Sequence, residues 1–312
     1  MSFDLFDLHC DTAYEMLRTG QSLTDNRLAV SLTGAKKVFS RYVQIMAHWT
    51  DDALSDEAGW EQLLAMHRHL LQDDAIREGH AVIATTIPSD ANLPTLLLSV
   101  EDARVLANKI ERVDTLFQMG FRFLTPLWAG STCIGGSHDT DVGLTDFGKR
   151  ALSRAVELGM LLDISHASLA SSEEILALSA AQGRPAIASH SNVYDVRPVS
   201  RNLQAWQVEA LLRCDGIIGL NLHVPFLTDQ TDATVDDVLR HVDAFLAMGA
   251  EKALCLGGDM DGAWLPTAFD KVEKLSQLAE EMLRRNYSED TVRGMFFENA
   301  HRFACKHLQA SL

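Results

Sequence analysis

Phe3-Asp4-Leu5-Phe6-Asp7-Leu8-His9-Cys10-Asp11-Thr12 reads as a short strand that ends in an imidazole and a carboxylate. Phe6 and Leu8 alternate with polar neighbours, and side chains two apart on a strand share a face, so His9 and Asp11 are expected to converge. Such a pair can hold a divalent metal at the end of a strand. Alone the pattern is common. Its weight comes from later strand ends that each carry one more suitable residue.

Beyond this stretch, apolar runs alternate with amphipathic segments. Candidate strands are 4–9, 42–48, 95–100, 121–125, 161–165, 186–190, 217–222 and 253–258. Most are rich in Val, Ile, Leu or Phe without strict alternation, as parallel strands buried on both faces are. The segments between have helical spacing: Leu106, Ile110, Val113 and Phe117 form one stripe, Leu152 and Val156 another. Gly120, Gly159, Gly183, Gly216 and Gly249 stand where helices stop, and Thr145, Asn202, Thr234 and Ser288 where they start. Strand–helix units in this number predict an α/β fold, a (β/α)8 TIM barrel with its active site at the C-terminal ends of the strands. A doubly wound open sheet fits less well, because no G-x-G-x-x-G follows any strand. No linker or repeat interrupts residues 1–312, so one domain is expected, with long βα insertions at about 14–41 and 49–93. The second holds a helical stretch near Asp56–Gly79 and a short strand within Ala81–Thr86.

Forty-three acidic residues against 27 basic ones give a net charge of −16. That excess argues against a nucleic-acid groove or an anionic membrane surface, both of which require basic patches. No secretory signal and no apolar run of membrane-spanning length is visible. The five cysteines, Cys10, Cys133, Cys214, Cys255 and Cys305, are scattered and lack a C-x-x-C pair. Reduced thiols and a cytoplasmic location are expected.

Residues that close the strands of a barrel meet at one mouth. The first strand supplies His9 and Asp11, the third Glu101, the fifth His166, the sixth His190 and the eighth Asp259. Three imidazoles and three carboxylates exceed what one divalent ion needs; oxygen and imidazole donors suit Zn²⁺, and also Mn²⁺ or Co²⁺. Glu101 is the natural bridge between two ions roughly 3.5–4 Å apart, which would clamp a water and lower its pKa toward neutrality. A lone strand-end histidine is more often a hydrogen-bonded rim residue, and Asp259 and Asp261 in Gly257-Gly258-Asp259-Met260-Asp261-Gly262 also suit turn chemistry. Six such residues at strand ends together favour the metal reading. His67, His69, His80, His241, His301 and His307 lie on helix-like segments and are expected at the solvated surface. His48, His138 and His223 follow candidate strands and could line the pocket without being ligands.

Taken together, Asp7–Thr12, Ser99-Val100-Glu101, Leu162–Ser168, Ala188–Ser191 with Ser200-Arg201-Asn202, and Gly257–Gly262 resemble the renal (membrane) dipeptidase family of the amidohydrolase superfamily. The resemblance spans residues 7 to 262 and continues weakly through Phe297–Arg302. It implies a barrel with two zinc ions that hydrolyses dipeptides. His9 and Asp11 would bind one ion, His166 and His190 the other, and Glu101 both. Asp259 would be the general acid/base, and Arg201 would receive the substrate's C-terminal carboxylate, a task its planar fork suits. A D-residue at the C-terminal position and a homodimer are further expectations from the family. One position departs from it: Trp128 stands where mammalian-type members carry a histidine that polarises the scissile carbonyl, leaving His138 or the metal ions for that task. The expected reaction is attack by a metal-bridging hydroxide on the peptide bond. The alternatives are an amidohydrolase acting on an N-acyl amino acid or lactam, and a barrel without turnover.

Overall fold

Eight parallel strands alternate with helices and close into a barrel in the computed structural model, which describes residues 3–88 and 93–308. They are β1 (Phe3–Cys10), β2 (Phe39–Trp49), β3 (Thr95–Glu101), β4 (Phe121–Thr125), β5 (Leu161–Asp163), β6 (Ala186–Ile187), β7 (Ile218–Leu220) and β8 (Leu254–Leu256). Their order around the sheet is β6-β5-β4-β3-β2-β1-β8-β7, and a parallel bridge between Ala188 and Ile218 joins the two ends. This is the (β/α)8 barrel that the alternating pattern predicts. The later strands are shorter than their apolar runs.

Alternation sorts the side chains into two layers. Phe6, Leu8, Val43, Ile45, Leu97 and Phe123 fill the barrel interior, where Phe297, Phe303 and Leu308 pack against them. Leu96, Leu98 and Val100 face the opposite way, into the layer beneath the helices. Glu101, two steps of two beyond Leu97, therefore opens into the interior at the top of β3. A two-residue strand, Val82–Ile83, pairs with the start of β3 and lies within the predicted 81–86 stretch. Residues 89–92 of the same insertion lie outside the described residues.

Space is tightest where β6, β7 and β8 meet. A Cβ on Gly219 or Gly257 would lie 1.9 or 1.8 Å from the Ser189 carbonyl oxygen, so only glycine lets these strands approach.

Thr145, Thr234 and Ser288 cap helices as predicted, accepting from the backbone N–H of Gly148, Asp237 and Thr291. Asn202 does not: that helix is Ala205–Arg213, with Gln204 and Gln207 forming its capping box. Gly120, Gly159, Gly183 and Gly249 take positive φ at helix ends, but at the fourth site Asp215 does so (φ 60°). Gly216 is needed instead because a Cβ there would meet the Ala186 carbonyl at 2.3 Å. The stripe from Leu106 to Phe117 is broken: Leu106 ends a separate 3₁₀ turn, the helix starts at Glu111, and Ile110 is exposed. No helix among the described residues is long and apolar enough to cross a membrane, and all five cysteines are free thiols.

Candidate metal centre

His9 reaches the barrel interior by a device that simple alternation misses. Asp7 pairs with Gln44 but Cys10 with Met46, so three steps on β1 oppose two on β2, a β-bulge. The Asp7 carboxylate holds this bulge, accepting from His9 N (2.9 Å) and from Gly258 N, just past the neighbouring β8 (3.1 Å). Burial pushes its carboxyl up to about 6, opposed by those N–H groups. The bulge turns His9 Nε2 to within 3.3 Å of Asp11 Oδ2 and 3.4 Å of Glu101 Oε2. Asp11 itself lies past the strand, at the start of helix Thr12–Thr19.

On the other side of Glu101 stand His166 and His190. His166 Nδ1 lies 3.0 Å from the Trp128 carbonyl, which can only accept, so Nδ1 carries the proton and Nε2 a lone pair. His190 Nδ1 faces Ser189 Oγ at 2.7 Å, and Ser189 donates to the Asp163 carboxylate. This carboxylate–serine–histidine chain leaves His190 Nε2 unprotonated as well. The two bare nitrogens stand 2.9 Å apart, and Glu101 Oε1 is 3.1 Å from one and 3.4 Å from the other. Two lone pairs aimed at each other repel unless a cation lies between them. Burial holds both histidines below the usual imidazole range, with Arg201 and, for His190, His9 adding to it. Burial opposes ionisation of Glu101, yet the surrounding imidazoles hold its carboxyl well below the usual range.

Both ring nitrogens of His9, Asp11 Oδ1 and Glu101 Oε1 are buried without a hydrogen-bond partner. Buried polar atoms rarely stay unsatisfied, so this group suits a bound cation. Donor atoms of His9, Glu101 and His190 lie within 4.8 Å of one another, as do those of His9, Asp11 and Asp259. Asp259 sits after β8 at φ 57°, and His166 at φ 66°. Left-handed conformations of this kind cost roughly 1 kcal/mol or more each and gather at functional sites. Asp259 is held by its own N–H on the His9 carbonyl (3.1 Å) and by Asn221 Nδ2 on its Oδ2 (3.0 Å). Asp261 is a tie between the β8 loop and the first insertion, accepting from Thr12, Ala29 and Val30.

Arg201 lies in the loop after β6, ahead of the helix rather than at its start, and is 3% exposed. Nη1 donates to Ser191 Oγ (3.0 Å) and Nη2 to the His190 carbonyl (2.9 Å), while Nε has no partner.

A cavity of about 630 Å³ opens above this cluster, with Asp11, Glu101, His166 and Asp259 in its lining. His138 and His223 line it as expected. His48 does not: it is fully buried against Phe121 and His67. His67 and His241, expected at the surface, are buried. His241 is satisfied by backbone, Nδ1 accepting from Val193 N and Nε2 facing the Leu227 carbonyl, so core rather than solvent holds it.

The supporting residues escaped the sequence reading. Asp163, for one, accepts from Ser165 N, Ser189 N, Thr125 Oγ and Ser189 Oγ, stapling β4, β5 and β6 together. The available signal was a lone carboxylate at the end of an otherwise apolar strand, since such a group must find partners when buried.

The family model of the membrane dipeptidases (peptidase family M19) matches residues 1–310. Dipeptidase 3 of Macaca fascicularis is 30% identical over 212 residues, which are 65% of this chain; the match spans only 43% of that relative's length. Among solved structures, dipeptidase AC, a metallopeptidase of family M19, superposes with a TM-score of 0.91 at 25% identity, covering 99% of this chain and 100% of that one. A metallopeptidase from Rhodobacter sphaeroides, liganded with a phosphinate mimic of the dipeptide L-Ala-D-Ala, has a TM-score of 0.90 at 23% identity over 99% and 100% of the two chains. That second likeness is one of fold. With the family model matched over all but the last two residues and the barrel shared throughout, the chain belongs to the membrane dipeptidase family, peptidase family M19.

Proposed function

We propose that the protein is a metal-dependent dipeptidase working with two divalent ions, Zn²⁺ being the first candidate. His9 and Asp11 would hold one ion, His166 and His190 the other, and Glu101 both. The support is chemical: the unprotonated Nε2 atoms of His166 and His190 face each other at 2.9 Å beside a buried carboxylate. Imidazole nitrogens with carboxylate oxygens form a donor set suited to zinc. The chemistry such ions supply is polarisation of a carbonyl oxygen and a lowered pKa for a water.

The chain's own groups do the rest. Asp259 accepts the proton of the attacking water and returns it to the leaving amine. Asn221 holds its Oδ2, which leaves Oδ1 for that transfer. Arg201 has five N–H donors, of which two bind Ser191 and His190, so the others are free for a substrate carboxylate. Binding the carboxylate near the reacting centre restricts the substrate to two residues. Because these groups hold the ends of the substrate, a D-residue at the C-terminal position belongs to the proposed class.

Zinc-loaded protein should contain two equivalents of metal and hydrolyse L-Ala-L-Ala and L-Ala-D-Ala, leaving N-acyl amino acids intact. Asp259→Asn should lower kcat by about 10²-fold or more. Absence of bound metal, or cleavage of N-acyl amino acids but no dipeptide, would overturn the proposal.

A further inference from the structure

We propose that the cavity selects dipeptides whose N-terminal residue carries an aromatic or large aliphatic side chain, through a wall formed by Tyr14, Trp49 and Trp128. This rests on the dipeptidase reading above and names its substrate class. The three rings come from positions that follow or end β1, β2 and β4. Tyr14 and Trp49 meet edge to face with centroids 4.9 Å apart, and Trp49 and Trp128 follow at 5.1 Å. Trp128 ends the row 6.4 Å from the ring of His166, so the wall runs up to the metal donors. The Trp49 indole N–H has no acceptor, so packing against its two neighbours, not a hydrogen bond, sets its orientation.

Strand order then decides which end of a substrate meets this wall. Arg201 follows β6, directly across the ring from β2, which ends in Trp49; Tyr14 after β1 and Trp128 after β4 stand to either side of Trp49. With the C-terminal carboxylate on Arg201 and the peptide carbonyl at the metal donors between, the N-terminal side chain lies along the aromatic row. Glu15 and Arg18, the charged residues beside Tyr14 in the lining, are bound to each other through both carboxylate oxygens at 2.8 and 2.6 Å. Desolvating an acid or a base against these rings is unfavourable, whereas burying a benzyl or isobutyl group is favourable.

The test compares kcat/KM for X-Ala dipeptides with X as Ala, Leu, Phe, Asp and Lys on the zinc-loaded enzyme. It also compares, by calorimetry, the affinity of phosphinate pseudo-dipeptides bearing methyl or benzyl at the N-terminal side. Phe and Leu should exceed Ala by roughly 10- to 100-fold in kcat/KM, with Asp and Lys lowest, and the benzyl phosphinate should bind tighter by a similar factor. Trp49→Ala should bring the Phe-to-Ala ratio to within about threefold, while Trp49→Phe should keep most of it. A flat or inverted series in the wild type overturns the inference alone, as does a ratio that survives Trp49→Ala in folded protein. Failure to cleave any dipeptide overturns the dipeptidase reading and this inference with it.

Discussion

Replacing Gly262 by Ala separates folding from function at this site. A Cβ at position 262 would lie 2.0 Å from Asp11 Oδ2, 2.8 Å from Asp11 Cγ and 3.0 Å from Asp259 Oδ1. Carbon and carboxylate oxygen rest at about 3.3 Å or more, so the Asp11 carboxylate must retreat by more than about 1 Å. It can do so cheaply, because it is the far end of a rotatable side chain and Gly262 itself is exposed. Stability should therefore change by under about 1 kcal/mol, as for most surface substitutions. Catalysis should not escape, since a misplacement near 1 Å costs about 10²-fold in rate. The displaced group is a proposed metal ligand, and its neighbour Asp259 is the proposed acid/base. Gly262→Ala is expected to unfold within a few degrees of the wild type, to lose about 10²-fold or more in kcat/KM, and to bind one metal equivalent weakly. Thermal melts, dipeptide kinetics and metal analysis after dialysis read these three quantities. Full activity with two tightly held equivalents would refute the assignment of Asp11 and the packing on which it rests.

Two further outcomes follow from groups away from the reacting atoms. Asp163→Asn replaces one of the two acceptor oxygens that fix the Ser189–His190 chain by an N–H donor, so metal affinity measured against a competing chelator should fall 10- to 100-fold; an unchanged affinity would show that Ser189 alone orients His190. Burial depresses His241 to about 4 and His48 to about 3, so at these two sites the unfolded chain binds more protons than the folded one below pH 6.5. Their contribution to stability should thus be level above pH 6.5 and turn against the fold as the pH drops toward 4, by about 1.4 kcal/mol per pH unit for each histidine, while Asp7, raised to about 6 by burial, acts in the opposite sense. Denaturant melts of His241→Gln should show a shallower decline than the wild type, and an identical slope would exclude His241 from the transition.

Much of the barrel was legible because buried parallel strands and glycine-terminated helices leave plain marks in the chain, and the strand-end residues His9, Glu101, His166, His190 and Asp259 do gather at one mouth. Less visible was how they arrive there. His9 points inward through a bulge that depends on which residues of β1 and β2 pair, and pairing register is a tertiary property. His67 and His241 looked solvated because helical spacing alone does not tell which face of a helix a polar ring occupies; both are buried. Asn202 resembles a cap by composition, yet its side chain is engaged by the Arg197 and Phe226 carbonyls, and the helix begins three residues later. Trp128 could be seen as a departure, but only the packed loops reveal that it extends an aromatic row.

The joint between β6 and β7 sets a limit on how this molecule can vary over evolutionary time. A hoop is no stronger than its thinnest link, and here that link is one bridge at Ala188–Ile218, laid against the glycines that flank Ser189. His190 rides on the same few residues. A methyl group added at position 219 or 257 would wedge the hoop open and carry the His190 imidazole, a proposed metal donor, away with it. Change is therefore barred at two small residues outside the cavity lining, while the far longer seam between β2 and β3 can absorb it.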